Sequence, residues 1–253
     1  MAINNVTQVI IPQQFFFDWL AGYYGLILEG YGMTMYLYAT GLVFGFFFGL
    51  LLAVARQYGG TIVSALATGY IEFMRGTPML VQIYVIYLFA PFINATFASP
   101  ESPLIDLRWS VSVGGVIILN HQILSAMATM GLNSAAYQAE YFRGAMASVS
   151  SGQLLAARSI GMTRTESILS IVIPQSLRRV IPAWSNEAAY LPKYTVVASF
   201  IAVNDLFQNA AWIMSRIFVS LPVWLVVAAI FVVTISLISK ALDYVYMKTK
   251  IPM

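Results

Sequence analysis

The sequence contains no cysteine and a single histidine, His121. Without thiols there is no disulfide framework, no zinc finger and no cysteine nucleophile. One imidazole among scattered carboxylates makes neither a multi-histidine metal site nor a Ser-His-Asp triad. Charge is also scarce: 13 basic and 10 acidic residues are 9% of a 253-residue chain, where a soluble domain carries roughly a quarter. That is too little to clothe a water-facing surface, so a soluble enzyme is all but excluded. A membrane enzyme lacks its reactive constellation, and we expect no catalytic residue, cofactor or metal in this chain. The net charge of +3 points to membrane orientation, with no nucleic-acid partner.

What is present is long apolar sequence, 60% of the residues being hydrophobic. A helix needs about 20 apolar residues to cross the ~30 Å hydrocarbon core of a bilayer. Residues 30–55 are free of charge after Glu29 and end at Arg56 and Tyr58-Gly59-Gly60. Residues 61–91, interrupted by Glu72 and Arg75, read as a broken or long helix ending near Pro91. Residues 109–139 are uncharged up to Glu140 and Arg143; 180–204 hold only Glu187 and Lys193; 217–239 hold no charge beyond the boundary. The expected architecture is an all-α integral membrane protein of about five transmembrane helices, or six if 61–91 folds as two short crossing helices. Residues 1–29 read as an amphipathic lead-in with Phe15, Phe16, Phe17 and Trp19 at the interface, and 30–253 as the transmembrane domain.

Short cytoplasmic loops are enriched in lysine and arginine. With five spans, Arg56, Arg143, Arg158, Arg164, Arg178, Arg179, Lys240, Lys248 and Lys250 share one side, against Arg108 and Arg216 on the other. This predicts an outside N-terminus and a cytoplasmic C-terminus.

Residues 144–179 are the long water-compatible segment. Ser150 or Ser151 is placed to cap a helix through Ile160, Gly161 to stop it in the left-handed conformation, and Thr163 or Thr165 to cap a second helix ending before Pro174. The plain reading is an amphipathic connector beneath the bundle. The spacing Ala156-Ala157, Gly161, Ile171, Ile173-Pro174 resembles the "EAA" loop of permease subunits of prokaryotic ATP-binding-cassette importers. Arg75-Gly76-Thr77-Pro78 with Leu80-Val81-Gln82 is similar to the "RGTPxLVQ" element of the polar amino acid uptake branch. Ala135-Ala136-Tyr137 with Ala139-Glu140 and Arg143-Gly144, then Pro174-Gln175, Arg178, Pro182, Asn186, Leu191, Lys193 and Thr195, match two further elements of that branch. Four motifs in order cover residues 30–240.

The resemblance implies a MetI-like importer permease fold in the cytoplasmic (inner) membrane and a coupling loop at Leu155, Ala156, Ala157, Gly161, Ile171 and Pro174 that docks on a separate ATPase subunit. It further implies ATP and magnesium on that partner, a second permease subunit as homodimer or paralogue, an external solute-binding protein, and inward movement of a polar amino acid. Leu155 stands where the family usually carries glutamate, and the outer segment 94–108 is longer than usual.

Charges inside spans cost about 2.5–3.5 kcal/mol on insertion scales and therefore pair or face a cavity. Glu72 with Arg75, and Glu140 with Arg143, are three apart and suited to pairing. Glu187 and Lys193 are six apart and are better suited to lining a path; Pro182 and Pro192 are placed to break the helix around them. Glu72, Arg75, Glu187, Lys193, Asn186 and His121 are thus the candidates for a translocation path or gate, with a backbone carbonyl the favoured partner of His121. The competing class, an ion-coupled secondary transporter, usually shows inverted repeats, of which the sequence gives no sign.

Overall fold

The computed structural model describes residues 13–99, 102–149, 151–217 and 220–249. Helix α1 (Gln13–Tyr58) has 46 residues and is about 69 Å long at 1.5 Å per residue, more than twice the bilayer core. Residues 13–29 thus continue the helix that carries the first apolar run. Trp19, expected at the interface, is instead buried with Ile27, Leu206, Ile213 and Val223, because a helix not foreseen from the sequence, α9 (Leu206–Ile217), covers that side of α1. The side chains of Phe15, Phe16 and Phe17 lie outside the described residues.

The stretch 109–139, expected to cross as one helix, divides in two. Strands β1 (Ser110–Val113) and β2 (Val116–Asn120) form an antiparallel hairpin pairing Val113 with Val116 and Ser110 with Asn120. Its two-residue turn is Gly114-Gly115 at φ +60° and +84°, the positive-φ pair that a primed hairpin turn requires. Valine and isoleucine on both sides favour the pleated form. Asn120 then caps α4 (His121–Ala147), its Oδ1 accepting from the Ile123 amide at 2.8 Å.

Helix α4 spans 27 residues and is the polar centre of the bundle, burying Ser125, Thr129, Asn133, Ser134 and Gln138. It runs along α1, where Gly41, Gly45 and Gly49 share a face. A Cβ on Gly49 would lie 2.8 Å from the Ala135 carbonyl oxygen, and one on Gly45 would collide with Gln138 Nε2. Helices in lipid gain nothing from burying one apolar face on another, so close approach through small residues and polar contacts holds them together.

Helix α2 (Thr61–Gly76) is separated from α3 (Met79–Phe97) by the extended residues Thr77 and Pro78. Pro91 lies inside α3, which does not end there but runs on to Phe97. Proline has no amide hydrogen, so it frees the carbonyl four residues earlier. For Pro91 that carbonyl is Tyr87, and His121 of α4 donates to it from Nε2 at 2.9 Å.

After α5 (Ser151–Ser159) and α6 (Arg164–Ser167), the second loop helix does not stop before Pro174. It widens into a π-helical turn, Ile168–Val172, and continues as α7 (Ile173–Arg179), with Pro174 in its first turn. Wider i→i+5 hydrogen bonding carries the chain past the missing amide. Helix α8 (Ile181–Tyr194) takes Pro182 in its first turn without breaking. Pro192 precedes a 3-10 segment, Thr195–Ile201, that ends at Ala202 in the left-handed conformation. α9 and α10 (Ser220–Thr249) complete the chain.

Among the described residues, α1 from Trp19, α3 and α10 are each long and apolar enough to cross a membrane. Ile181–Ile201 with Leu206–Ile217 meets that test as a pair bent by 56°.

Candidate functional site

The loop between α4 and α8 is a helical elbow with both of its helix ends closed. At the end of α5, Gly161 N–H donates to Arg158 O and Met162 N–H to Ala157 O, both at 3.1 Å. This 5→2 and 6→1 closure of a helix end needs a left-handed residue, and Gly161 supplies it at φ +92°. Two residues on, Thr163 and Glu166 form a reciprocal capping box: the Thr163 amide donates to Glu166 Oε2 at 2.8 Å while the Glu166 amide donates to Thr163 Oγ1 at 3.3 Å. The hydrogen bonds from the Thr163 backbone and hydroxyl hold the Glu166 carboxyl below the usual glutamate value.

The elbow is anchored from beneath by Leu154, Val172, Leu177 and Val180, which pack with Phe142 and Met146 of α4. Gln175 donates to Gln153, and Arg179 to the Ser148 carbonyl. Its outer side carries bare apolar side chains: Leu155 is 64% exposed, Ile160 81% and Leu169 58%. Of the residues predicted for coupling, Ala157 is buried, Ile171 is half-buried, and Leu155, Ala156, Gly161 and Pro174 face outward. The exposed position at Leu155 is therefore an apolar knob and brings no charge.

The predicted pairing of Glu72 with Arg75 is not found. Arg56 reaches across from α1 to both Glu72 of α2, at 3.3 Å, and Glu140 of α4, while Arg143 bonds Glu140 at 3.0 Å. Arg56 sits at the last turn of α1, close enough to intercept Glu72 and leave Arg75 free to stack on the Tyr137 ring, 5.4 Å from its centroid.

Arg75 belongs instead to a second assembly. Glu187 of α8 is buried, and Ser134 donates to its Oε1 at 2.7 Å. Behind it, Trp184 Nε1 donates to Gln138 Oε1 at 2.7 Å and Gln138 donates to Ser134 Oγ at 3.0 Å, fixing the carboxyl. Lys193 Nζ lies 4.4 Å from the Tyr190 ring centroid. Tyr137 and Tyr141 lie on α4, and Tyr190 and Tyr194 follow Glu187 on α8.

Arg75 on Tyr137 and Lys193 on Tyr190 are thus two exposed cations, each resting on a ring, and Glu187 is a carboxyl recessed between α4 and α8; with their tyrosines these groups make up the candidate face. Arg75, Glu187 and Lys193 are candidates that the sequence offers; the tyrosines are not among them, although Tyr137 with Tyr141 and Tyr190 with Tyr194 have the i, i+4 spacing that puts each pair on one helix face. Glu72 lies in the ion-pair cluster and His121 on the Tyr87 carbonyl. Asn186 is exposed on a different groove of about 260 Å³ between α8 and α10, shared with Ser185, Ser239 and Asp243.

The comparisons agree with this architecture. Residues 45–246 match the family model described as binding-protein-dependent transport system inner membrane component. The chain is 32% identical over 237 residues to the glutamine transport system permease protein of Escherichia coli K12, covering 93% of this chain and 99% of that one. It is 32% identical over 214 residues to the nopaline transport system permease protein of Agrobacterium fabrum, covering 85% and 83%. Among solved structures, an amino acid ABC transporter crystallised with histidines superposes with a TM-score of 0.73 at 28% identity, over 90% of this chain and 96% of that one. A methionine ABC transporter in an inward facing conformation shares the fold, with a TM-score of 0.72 at 16% identity over 91% and 99%. The chain therefore belongs to the inner membrane components of binding-protein-dependent transport systems, the multi-pass permease subunits of ATP-binding-cassette importers.

Proposed function

We propose that this permease subunit passes a polar amino acid inward along the face formed by Arg75, Glu187, Lys193 and their tyrosines, driven by ATP and magnesium on partner ATPase subunits. The observation that carries the reading is the presence of both signs on neighbouring helices, two exposed ring-supported cations, Arg75 and Lys193, and a recessed carboxyl, Glu187, as a zwitterion requires. Relatives named for glutamine and nopaline transport favour this solute class. The working unit is two permease subunits with ATPases beneath and an external binding protein above. The N-terminus is outside, and the basic elbow, with Arg158, Arg164, Arg178 and Arg179, is cytoplasmic.

The elbow is the transmission. Leu155, Ile160 and Leu169 dock into the ATPase subunit, and the closure at Gly161 keeps the two helices from flexing independently. The experiment is ATP-driven uptake of labelled L-glutamine and L-arginine by proteoliposomes holding the permease, its ATPase subunit and a binding protein. Gly161→Asp, which places a side chain at φ +92°, is expected to lower uptake at least tenfold while the protein still inserts and elutes as a single species. Wild-type uptake rates from Gly161→Asp would overturn the coupling role. Uptake driven by a proton gradient, with the chain alone and no ATPase, would overturn the importer reading in favour of ion coupling.

A further inference from the structure

At the end of the bundle opposite the Arg56–Glu140–Arg143 cluster lies a chamber of about 320 Å³, roofed by the hairpin tip at Gly115, Val116 and Ile117 and floored by α1, the start of α4 and the turn at Ala202. It opens where Glu29, Val116 and Asn204 are exposed.

The lining is chemically one-sided. Glu29 is its one charged residue, joined by the carboxamides of Asn120, Gln122, Asn204 and Asn209 over an apolar floor. Asn120 has committed its Oδ1 to the Ile123 amide, which leaves its NH2 to donate. Asn209 has committed its Nδ2 to the Leu26 carbonyl, which leaves its oxygen to accept. Among the described residues, the side chains of Gln122, Asn204 and Glu29 make no hydrogen bond or ion pair. The rim is fixed by Ala202, held at φ +59°, a conformation a non-glycine residue keeps only where its surroundings impose it.

The geometry points to this chamber as a receiving site for the solute, within a single subunit and separate from the tyrosine face, selective for amino acids that present a cationic or amide end and against dicarboxylic ones. The proposal rests on the amino acid reading above. Glu29 and the Asn209 oxygen take the ammonium or guanidinium group, while Asn120, Gln122 and Asn204 donate to a carboxylate or amide oxygen. With no base in the lining, a second carboxylate on the solute meets Glu29 without compensation.

The test is equilibrium binding of tritiated L-arginine, L-glutamine and L-glutamate to the purified permease–ATPase complex without binding protein, with co-elution of the two subunits reporting that each variant is folded. Wild type is expected to bind arginine and glutamine saturably and glutamate at least tenfold more weakly. Glu29→Gln is expected to erase most of the preference for arginine over glutamate. Ile117→Trp, which fills the chamber from the tolerant hairpin side, is expected to remove binding of all three. Binding that survives both variants unchanged overturns the chamber. So does absence of saturable binding in a wild-type complex whose ATP-driven uptake is intact, and in that case the transport function stands. A wild-type complex that shows no ATP-driven uptake with its binding protein counts instead against the transport reading.

Discussion

Two backbone carbonyls, Met74 and Tyr87, present the same chemical problem. Each lies four residues before a proline and has no helical donor, Tyr87 because Pro91 lacks an amide hydrogen and Met74 because it lies in the last turn of α2, before the extended Thr77 and Pro78. In the interior of a membrane protein no bulk water replaces that donor, and neighbouring helices must. For Tyr87 the replacement is the His121 ring. For Met74 there are two: Gln82 Nε2 at 2.8 Å and Asn133 Nδ2 at 3.2 Å, with Asn133 also donating to Gln82 Oε1 at 2.9 Å. Gln82 closes the break further by donating to Thr77 Oγ1 at 2.7 Å. This explains the glutamine four residues after Pro78 in physical terms, since its amide is a detachable substitute for the missing amide hydrogen. Replacing it by leucine leaves buried polar atoms short of partners, a loss of about 1–3 kcal/mol. The midpoint of thermal unfolding of Gln82→Leu in detergent is therefore expected to fall. An unchanged midpoint would mean that the break is held by something else.

At the scale of elements, the decisive contact is α1 on α4. Alanine at Gly49 would set its Cβ 2.8 Å from a backbone oxygen and 3.0 Å from Gln138 Cβ, and backbone does not yield as a flexible side chain does. Gly49→Ala is expected to cost about 1–3 kcal/mol. Gly69→Ala in α2, whose Cβ would meet nothing within 4 Å, should instead gain up to about 1 kcal/mol from helix propensity. Paired thermal unfolding measurements check the contrast, and equal shifts for the two would remove the close-packing account.

The same elements show what the sequence could and could not convey. The charge-free run of α1 and the Gly161 stop were legible because local chemistry decides them. Residues 109–120 were read as helix because absence of charge was given more weight than the Gly114-Gly115 turn between β-branched residues, a local signal that was there to be used. The extension past Pro174 was hidden because a π-helical turn has no composition of its own. The partner of Glu72 was out of reach for a different reason: Arg56 is 16 residues away in sequence and on another helix, while Arg75 is a plausible neighbour along α2. Helix α9 is not foreseen although Leu206, Ala210 and Ile213, which it buries beside Trp19 and Val223, recur at helical spacing; its 12 residues are too few to register as a span.

For the whole molecule, the arrangement divides labour along one axis. The elbow, the Arg56–Glu140–Arg143 cluster and the anchoring core around Phe142 form one end, and the hairpin with its chamber forms the other. The tyrosine face lies on helices that join them: α4 begins at His121 beneath the hairpin and ends four residues before α5, so a rigid displacement of the elbow moves Tyr137, Tyr141 and the carbonyl contacts of α4 together. α8 follows the elbow after a single residue and carries Glu187, Tyr190 and Lys193. On the proposed coupling, movement imposed at Leu155 and Ile160 would reach both α4 and α8. If Lys193 serves the solute, its exposed ammonium over Tyr190 contributes attraction for a carboxylate and little to packing. Lys193→Gln is then expected to lower ATP-driven uptake about tenfold or more, while subunit assembly and the midpoint of thermal unfolding stay at wild-type values. Lys193→Arg, which keeps the charge and stacks on a ring as well, should recover much of the loss. Measured side by side in proteoliposomes, equal uptake by the wild type and Lys193→Gln would reduce Lys193 to an interfacial side chain. A loss that Lys193→Arg fails to recover, with a lowered unfolding midpoint, would make its role structural.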